Sequence, residues 1–334
     1  MAAELPETGP LLRVEDLHVE FATHLGVVHA VRGVDFTMAR GETVGVVGES
    51  GCGKSVTALS IMRLVSRPHG RISAGHIWLH DPQGSATDVT TLGFDSREMR
   101  AIRGGDITMV FQEPMTSLNP SYSVGFQIME TILHHQAVSK LTARELAIAA
   151  LRGVNMPDPE AVVDRYPHQL SGGMRQRVML AMAMVCNPRL LIADEPTTAL
   201  DVTVQAQILH LVEEGRDKLG MAILWITHDL GVVGELCDRV LVMYLGQVVE
   251  DAPVAAIFED PKHPYTQGLL ACSFIIGEGA GQDVDPIAGS VPGPFEQVAG
   301  CPYAARCPRA WEQCRDMPPE VTHGRSKVRC WLYA

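Results

Sequence analysis

The chain has 334 residues, of which 46% are hydrophobic and 20% charged, a balance typical of a folded protein rather than a disordered one. Its 27 lysines and arginines against 39 acids give a net charge of −12, which argues against a general nucleic-acid binder. No apolar run approaches the ~18 residues of a membrane span, and the N-terminus carries acids and prolines where a signal peptide carries positive charge. We therefore expect about two domains, at roughly 150 residues each, on the cytosolic side of a membrane.

The first part of the chain is rich in β-forming residues. Residues 11–22 and 27–38 are predicted to be strands of a small antiparallel sheet. Residues 43–47 are a continuous apolar run, the pattern of a buried parallel strand, and they lead into a glycine-rich loop and a helix at 54–64. A further strand is predicted at 76–80, and residues 81–91, which are polar and contain Pro and Gly, are expected to be a loop.

The middle of the chain changes from strand to helical periodicity. A buried strand is predicted at 107–111, and helices at 124–135, 142–153 and 171–187. We interpret these helices as an insert within an α/β domain.

Strands alternating with helices return from Leu190, which implies βαβ units and a mostly parallel sheet. The predicted strands are 190–193, 222–227 and 239–244, and the predicted helices are 202–219 and 230–237. Beyond Asp251 the composition of the chain changes. Residues 277–294 are rich in Gly, Pro and acids and are expected to be a loop or linker.

The glycine-rich loop after the strand at 43–47 satisfies the pattern GxxxxGK[ST] in the strand-to-helix context that phosphate binding requires. The glycines let backbone N–H groups converge on phosphate oxygens, while Lys54 is expected to bridge the β and γ phosphates and Ser55 to bind Mg²⁺. Cys52 is either a small residue tolerated in the loop or a site whose modification blocks nucleotide binding. The expected ATP-binding residues of the loop are Gly48, Ser50, Gly51, Cys52, Gly53, Lys54 and Ser55.

Two carboxylates follow the buried strand at 190–193. Asp194 is placed to organise a magnesium shell, and Glu195, one residue further, is placed to polarise the attacking water. A second anion site is predicted where Ser171, Gly172 and Gly173 open a long helix, because free N–H groups and the helix dipole point outward there.

The run LSGGM at residues 170–174 resembles the LSGGQ signature of the ATP-binding cassette (ABC) family, and together with the phosphate loop it extends that resemblance over about residues 11–260. In that family the signature of one subunit meets the γ-phosphate bound by the phosphate loop of another. The resemblance implies an α/β P-loop NTPase core with an antiparallel β subdomain and a helical subdomain at about 115–188. Residues 1–10 would be a tail.

The same resemblance implies further site residues. Gln112 matches the Q-loop glutamine, which senses magnesium and couples to a membrane partner, and Asp201, in the run Ala-Leu-Asp, matches the D-loop at the dimer interface. His228 matches the switch histidine that contacts the γ-phosphate. Phe21 is the expected adenine-stacking aromatic, with a role in the core as the alternative.

Several segments resemble the ATPase subunits of dipeptide and oligopeptide importers: 111–120, 193–201, 263–270 and the tail from Val291 to Pro308. That resemblance implies two transmembrane permease subunits, a second ATP-binding subunit that is identical or homologous, and an extracytoplasmic solute-binding protein. It places the chain on the cytoplasmic face of the bacterial inner membrane. Nickel and some sugar importers share this ATPase type, so those solutes stay open.

Half of the eight cysteines fall in the last 34 residues, with the spacing C-x5-C-x6-C-x15-C. In a reducing compartment this clustering favours metal ligation over disulfides, although the spacing matches neither the usual zinc pairs nor the common ferredoxin runs. The importer resemblance favours a [4Fe-4S] cluster, with Zn²⁺, unligated thiols or disulfides as alternatives and His323 as a possible substitute ligand. The expected ligands are Cys301, Cys307, Cys314 and Cys330.

Residues 261–334 are thus expected to form a small Cys-rich C-terminal appendage with a regulatory or cluster-binding role. Two alternative functions come from other classes of protein. A non-transport ABC ATPase acting on DNA or ribosomes is disfavoured by the single cassette, the lack of a heptad run and the acidic charge. A redox-sensing tail that gates the ATPase is compatible with transport.

Overall fold

The computed structural model describes residues 9–112, 117–198, 201–277, 287–296 and 298–334, without the side chains of 273–277. The strands are β1 (Leu12–Thr23), β2 (Gly26–Met38), β3 (Thr43–Val47), β4 (Gly70–His80), β5 (Ala86–Asp88), β6 (Ile107–Val110), β7 (Leu190–Asp194), β8 (Ala222–Ile226), β9 (Arg239–Tyr244), β10 (Gln247–Pro253), β11 (Glu320–His323) and β12 (Ser326–Arg329). The α-helices are α1 (Lys54–Ile61), α2 (Arg97–Ala101), α3 (Val124–His135), α4 (Lys140–Gly153), α5 (Pro159–Val162), α6 (Gly172–Met184), α7 (Val202–Leu219), α8 (Leu230–Leu236), α9 (Val254–Glu259) and α10 (Pro264–Gly277). No helix within these ranges is both long and apolar enough to cross a membrane.

The chain divides into two compact units, the first made of residues up to 39, 43–91 and from 226 onward, the second of residues 40–42 and 92–225. The first unit contains an antiparallel sheet in the order β2-β1-β4-β5, which confirms the predicted antiparallel β subdomain. Its strand β4 starts six residues before the predicted one, and β5 lies in a stretch expected to be a polar loop.

The first unit also contains the strands β11-β12-β10-β9-β3 in that order. Strands β3 and β9 are parallel as expected, whereas β9, β10, β12 and β11 pair antiparallel. The sheet here is therefore mixed rather than mostly parallel. The four-cysteine region, residues 301–334, was expected to be part of an appendage. It lies in the same unit as the phosphate loop, and its strand β12 pairs directly with β10.

The second unit combines strands in the order β8-β7-β6 with the helices α2 to α7. The predicted helical insert is present as α3, α4, the short α5 and α6. Each of α3, α4 and α6 begins after a serine whose side chain accepts a hydrogen bond from the first turn: Ser123, Ser139 and Ser171. Buried apolar residues of these helices, such as Ile128, Ala147 and Leu180, form the core of the insert.

Candidate nucleotide-binding site

The phosphate loop has the backbone that its glycines predict. Strand β3 is buried throughout, and Gly48 after it has φ +151°, where a Cβ would lie 2.2 Å from the carbonyl oxygen of Met243. Gly53, which caps α1, has φ +101°, and a Cβ there would lie 2.6 Å from the carbonyl oxygen of Ala30. Because backbone rather than a flexible side chain fills both spaces, glycine is required at both positions.

Lys54 folds back over the loop in this structure. Its Nζ donates to the carbonyl of Gly48 at 2.7 Å and to that of Glu49 at 3.1 Å, and the side chain is buried. Ser50 and Gly51 are exposed at the tip of the loop, and Ser55 is half-buried. A phosphate would offer the ammonium stronger, charge-assisted hydrogen bonds than these carbonyls do.

Cys52 is buried beneath the loop, with its sulfur 3.7 Å from Nζ of Lys54. Burial raises the pKa of the Cys52 thiol, and the nearby ammonium only partly offsets this. Because the thiolate is the nucleophile, this shift lowers the reactivity of Cys52. This environment favours the interpretation of Cys52 as a small packing residue.

His228 lies in the same unit, next to the end of β3. The N–H of Thr227 donates to the carbonyl of Val46 at 3.2 Å, and this places the exposed His228 beside the strand that enters the phosphate loop. Asp229 then caps α8 by accepting from the N–H of Gly231 at 2.9 Å. The backbone at His228 is thus fixed on both sides.

Phe21, the expected adenine-stacking residue, is half-buried on β1, two residues before the strand ends. It pairs with Val28 on one side and Gly70 on the other. A Cβ at Gly70 would lie 2.7 Å from Cε1 of Phe21, so the ring covers that glycine while keeping part of its surface accessible. Both the stacking role and the core role are compatible with this position.

The second unit brings together Gln112 and Glu195. Strands β6 and β7 are parallel, with Val110 opposite Ala193, so the residues just beyond them meet at the carboxyl edge. The side-chain amide of Gln112 donates to Oε2 of Glu195 at 3.1 Å, and the hydroxyl of Thr198 donates to the same oxygen at 3.1 Å. Two donors on one oxygen fix the orientation of the carboxylate.

Asp194 is the last residue of β7 and is 5% exposed. Glu195 follows it with φ +46°, a left-handed conformation that is uncommon for a residue with a side chain. Strained backbone of this kind clusters at functional sites, where the surrounding structure holds it in place. The turn therefore places the adjacent carboxylates of Asp194 and Glu195 at the carboxyl edge of the strands.

The signature segment opens α6. The Ser171 hydroxyl accepts from the N–H of Met174 at 3.4 Å, and Ser171 and Gly172 are exposed. Asp201 caps α7 in the same way, accepting from Val204 at 3.0 Å. A Cβ at Gly173 would lie 3.0 Å from a methyl group of Val204, so the starts of α6 and α7 pack closely. Residues 199 and 200 of the predicted D-loop lie outside the described residues.

The four C-terminal cysteines line one small cavity, together with His263 and Tyr303. All eight cysteines are free thiols. Burial, with a smaller contribution from the neighbouring thiols, raises the pKa of Cys301 to about 11. Among the described residues, no group of three or more His, Cys, Asp or Glu side chains is arranged so that it could bind a metal ion. His263 lines the cavity, whereas His323, the substitute ligand suggested by the sequence, contacts Tyr333 instead.

Sequence reasoning missed the residues that support the phosphate loop from the C-terminal region. The hydroxyl of Tyr265 accepts from the N–H of Glu49 at 2.9 Å, and Arg306 forms an ion pair with the carboxylate of Glu49. Both residues lie in segments singled out by their likeness to peptide importers, at 263–270 and 301–308. That clustering was the available signal, but the sequence gives no indication of their partner in the loop.

Comparison with known families agrees with this geometry. A family model described as ABC transporter matches residues 31–198, and a second, described as oligopeptide/dipeptide transporter, C-terminal region, matches residues 249–314. Among solved structures, cbiO1 from Clostridium perfringens, part of the ABC transporter complex cbiONQ, has a TM-score of 0.61 at 27% identity and covers 75% of this chain and 91% of its own. The dimeric structure of the bacterial ABC transporter cassette MJ0796 shares the fold, with a TM-score of 0.63 at 24% identity over 73% of this chain and 98% of its own. The fold, phosphate loop and signature helix define an ABC-type ATPase.

Proteins of similar sequence identify the branch of the family. The oligopeptide transport ATP-binding protein AppD of Bacillus subtilis (strain 168) is 50% identical over 326 residues, 97% of this chain and 97% of that protein. The dipeptide transport ATP-binding protein DppD of Haemophilus influenzae is 48% identical over 321 residues, 96% of this chain and 94% of that protein. The chain therefore belongs to the ABC transporter family, in the branch of the oligopeptide and dipeptide transport ATP-binding proteins.

Proposed function

We propose that the chain binds and hydrolyses ATP to power the import of dipeptides or oligopeptides through a membrane transporter. The observation that carries the hydrolytic part is the Glu195 carboxylate, oriented by Gln112 and Thr198 beside the buried Asp194. The peptide part is supported by the C-terminal family match and by the names of the full-length relatives. Nickel and sugars are the competing solutes.

In this proposal the phosphate loop binds the triphosphate through its backbone N–H groups and Lys54, while Glu195 polarises the attacking water. His228 contacts the γ-phosphate, and Phe21 stacks on the adenine. The proposed Mg²⁺ ligands are Ser55, Asp194 and Gln112, which offer the oxygen atoms that this ion prefers. When bound, Mg²⁺ neutralises charge that develops on the phosphates.

A second ATP-binding subunit, identical or homologous, completes the proposed catalytic unit. Ser171, Gly172 and Gly173 of one subunit would then face the nucleotide held by the other, with Asp201 at the interface. Two transmembrane permease subunits and an extracytoplasmic solute-binding protein are the remaining proposed partners. The chain would lie on the cytoplasmic face of the membrane, with residues 11–260 as the ATPase domain and 261–334 as its regulatory region.

The substrate class is tested by ATP hydrolysis in the purified assembly with its membrane and solute-binding proteins. We expect a dipeptide or short oligopeptide to stimulate hydrolysis several-fold, and Ni²⁺ or a sugar to have no effect. Stimulation by Ni²⁺ or a sugar alone would reassign the substrate and leave the ATPase function standing.

The four-cysteine cavity is the proposed site of a [4Fe-4S] cluster, with Zn²⁺ as the alternative. The proposal is supported by the four soft sulfur donors that line a single cavity, two of them, Cys301 and Cys330, buried. A bound cluster would hold the surrounding turns together and add a redox centre. Ligand thiols must lose their protons, and the pKa of Cys301 is raised to about 11, so metal retention is expected to weaken as the pH falls.

Cys314→Ser is expected to remove the cluster. Anaerobically purified wild-type protein should contain iron and sulfide and absorb visible light, and C314S should lose most of all three because one of four ligands is gone. Cys186→Ser is the matched control, since Cys186 is half-buried in the other unit, 3.9 Å from the carbonyl of Thr131. Unchanged iron in C314S would contradict a cluster role for these thiols, whereas zinc in place of iron would support the alternative.

A further inference from the structure

Arg306, in the four-cysteine region, forms a bidentate ion pair with Glu49, the second residue of the phosphate loop. Nη1 donates to Oε2 at 2.7 Å and Nη2 donates to Oε1 at 3.0 Å, across 257 positions of sequence. The Arg306 residue is 7% exposed, and both partners belong to the first unit. Because two parallel hydrogen bonds fix both distance and orientation, the pair ties the four-cysteine region to the loop.

The backbone of Glu49 is held as well. Its N–H donates to the hydroxyl of the fully buried Tyr265 at 2.9 Å, and its carbonyl accepts from Lys54 at 3.1 Å. Nη1 of Arg306 also donates to the hydroxyl of Tyr244 at 3.3 Å, and the rings of Tyr244 and Tyr265 are 4.7 Å apart. Residues from the C-terminal part of the chain therefore hold Glu49 at both its side chain and its amide.

A short path joins this contact to the cysteines. Arg306 directly precedes Cys307 and ends the single helical turn Ala304–Arg306, and its N–H donates to the carbonyl of Tyr303 at 3.0 Å. Tyr303 and Cys307 line the same cavity, and the Tyr303 ring lies 5.4 Å from that of Tyr265. A change in what the thiols bind would thus move the turn that carries Arg306.

The charge of Glu49 explains why this contact matters for ATP. A carboxylate in a loop that binds a triphosphate repels the ligand unless the carboxylate is neutralised. The hydrogen bonds to Glu49 raise the pKa of Arg306 above its ordinary value, and the guanidinium is charged throughout the physiological pH range. Arg306 therefore supplies a permanent positive charge beside the only acidic residue in the run from Gly48 to Ser55.

We propose that Arg306 is a positioning residue for the phosphate loop: it neutralises and orients Glu49, and through this contact the four-cysteine region sets the affinity for ATP. The inference rests on the proposed ATP function. Arg306 acts through Glu49 and not on the nucleotide. A purely structural ion pair would affect folding but would leave the ATP affinity of correctly folded variants unchanged.

The test is a titration of the full-length chain with a fluorescent ATP analogue and Mg²⁺. Arg306→Ala should raise the Kd about tenfold, within the roughly 5- to 150-fold range typical of coupling between sites. Arg306→Lys should bind ATP more tightly than Arg306→Ala but less tightly than wild type, since lysine keeps the charge but cannot form the bidentate pair. Arg325→Ala is the matched control and should not change Kd, because Arg325 pairs with Glu259 on an exposed surface.

The charge argument is tested by removing the carboxylate. Adding Glu49→Gln to Arg306→Ala should restore most of the affinity, and Glu49→Gln alone should bind ATP at least as tightly as wild type. If Arg306→Ala does not fold, the Glu49→Gln variant alone still tests the proposal. A folded Arg306→Ala protein with wild-type Kd, or a Glu49→Gln protein as weak as Arg306→Ala, would overturn the proposal.

The route from the cysteines is tested by Cys307→Ser, with thiol-bound metal and thermal unfolding measured on the same samples. This variant should raise the Kd for ATP in the wild-type background and have little further effect in Arg306→Ala, because both act through one contact. Independent, additive losses would overturn the route. A wild-type chain that binds no ATP would instead contradict the proposed function itself.

Discussion

Glu195→Gln is expected to bind ATP with near wild-type affinity and to hydrolyse it about 10²- to 10⁴-fold more slowly, the usual loss when a general base is removed. The amide has the shape of the carboxylate, and its oxygen can still accept the hydrogen bond from Thr198. It cannot take a proton from water. ATP should therefore stay bound and unhydrolysed, and the two ATPase subunits should accumulate as a closed dimer, measured by size-exclusion chromatography with ATP.

The matched control for this prediction is Glu214→Gln. Glu214 lies in the same unit on α7, where its carboxylate accepts from Lys218 at 3.0 Å, so the change alters charge without touching the site. It should leave turnover unchanged. Normal hydrolysis in Glu195→Gln would refute the assignment of Glu195 as the group that activates water.

Lys54→Ala is expected to weaken ATP binding itself by about 10- to 100-fold, because a hydrogen bond to a charged group contributes about 1.5–3 kcal/mol. In the structure, Nζ donates to the carbonyls of Gly48 and Glu49, so the variant also removes two contacts that order the loop. The measurement is a nucleotide titration together with thermal unfolding, which separates lost affinity from lost structure.

Lys218→Ala is the control for this variant, since Lys218 is 68% exposed and pairs with Glu214 across one turn of α7. It should leave the Kd for ATP unchanged. If Lys54→Ala were to bind ATP as tightly as Lys218→Ala, the phosphate loop would not be the nucleotide site.

Local sequence pattern predicted the elements that carry the site. The strand Thr43–Val47 and the helix Val202–Leu219 appear with the predicted bounds, because a buried strand leaves a continuous apolar run and an amphipathic helix a helical period in the sequence. The sequence assigned Gln112 and Glu195 to one ATP site but did not predict their direct hydrogen bond, for which the register of β6 and β7 supplies the physical cause.

Long-range pairings were beyond the reach of sequence pattern. Strands β11 and β12 are four residues each, and their pairing with each other and with β10 stabilises them. The ion pair between Glu49 and Arg306 depends on the same tertiary folding, so neither residue stands out in its own segment. The left-handed backbone at Glu195 is likewise imposed by its surroundings rather than by its own preference.

The central claim, that this ATPase drives peptide import, is tested most directly by peptide uptake into proteoliposomes containing the chain with its proposed permease and solute-binding partners. The labelled dipeptide is supplied on the side of the solute-binding protein and ATP on the side of the ATPase. We predict accumulation that requires ATP and is abolished when Glu195→Gln replaces the wild-type chain. Equal accumulation with Glu195→Gln, or accumulation without ATP, would contradict the account.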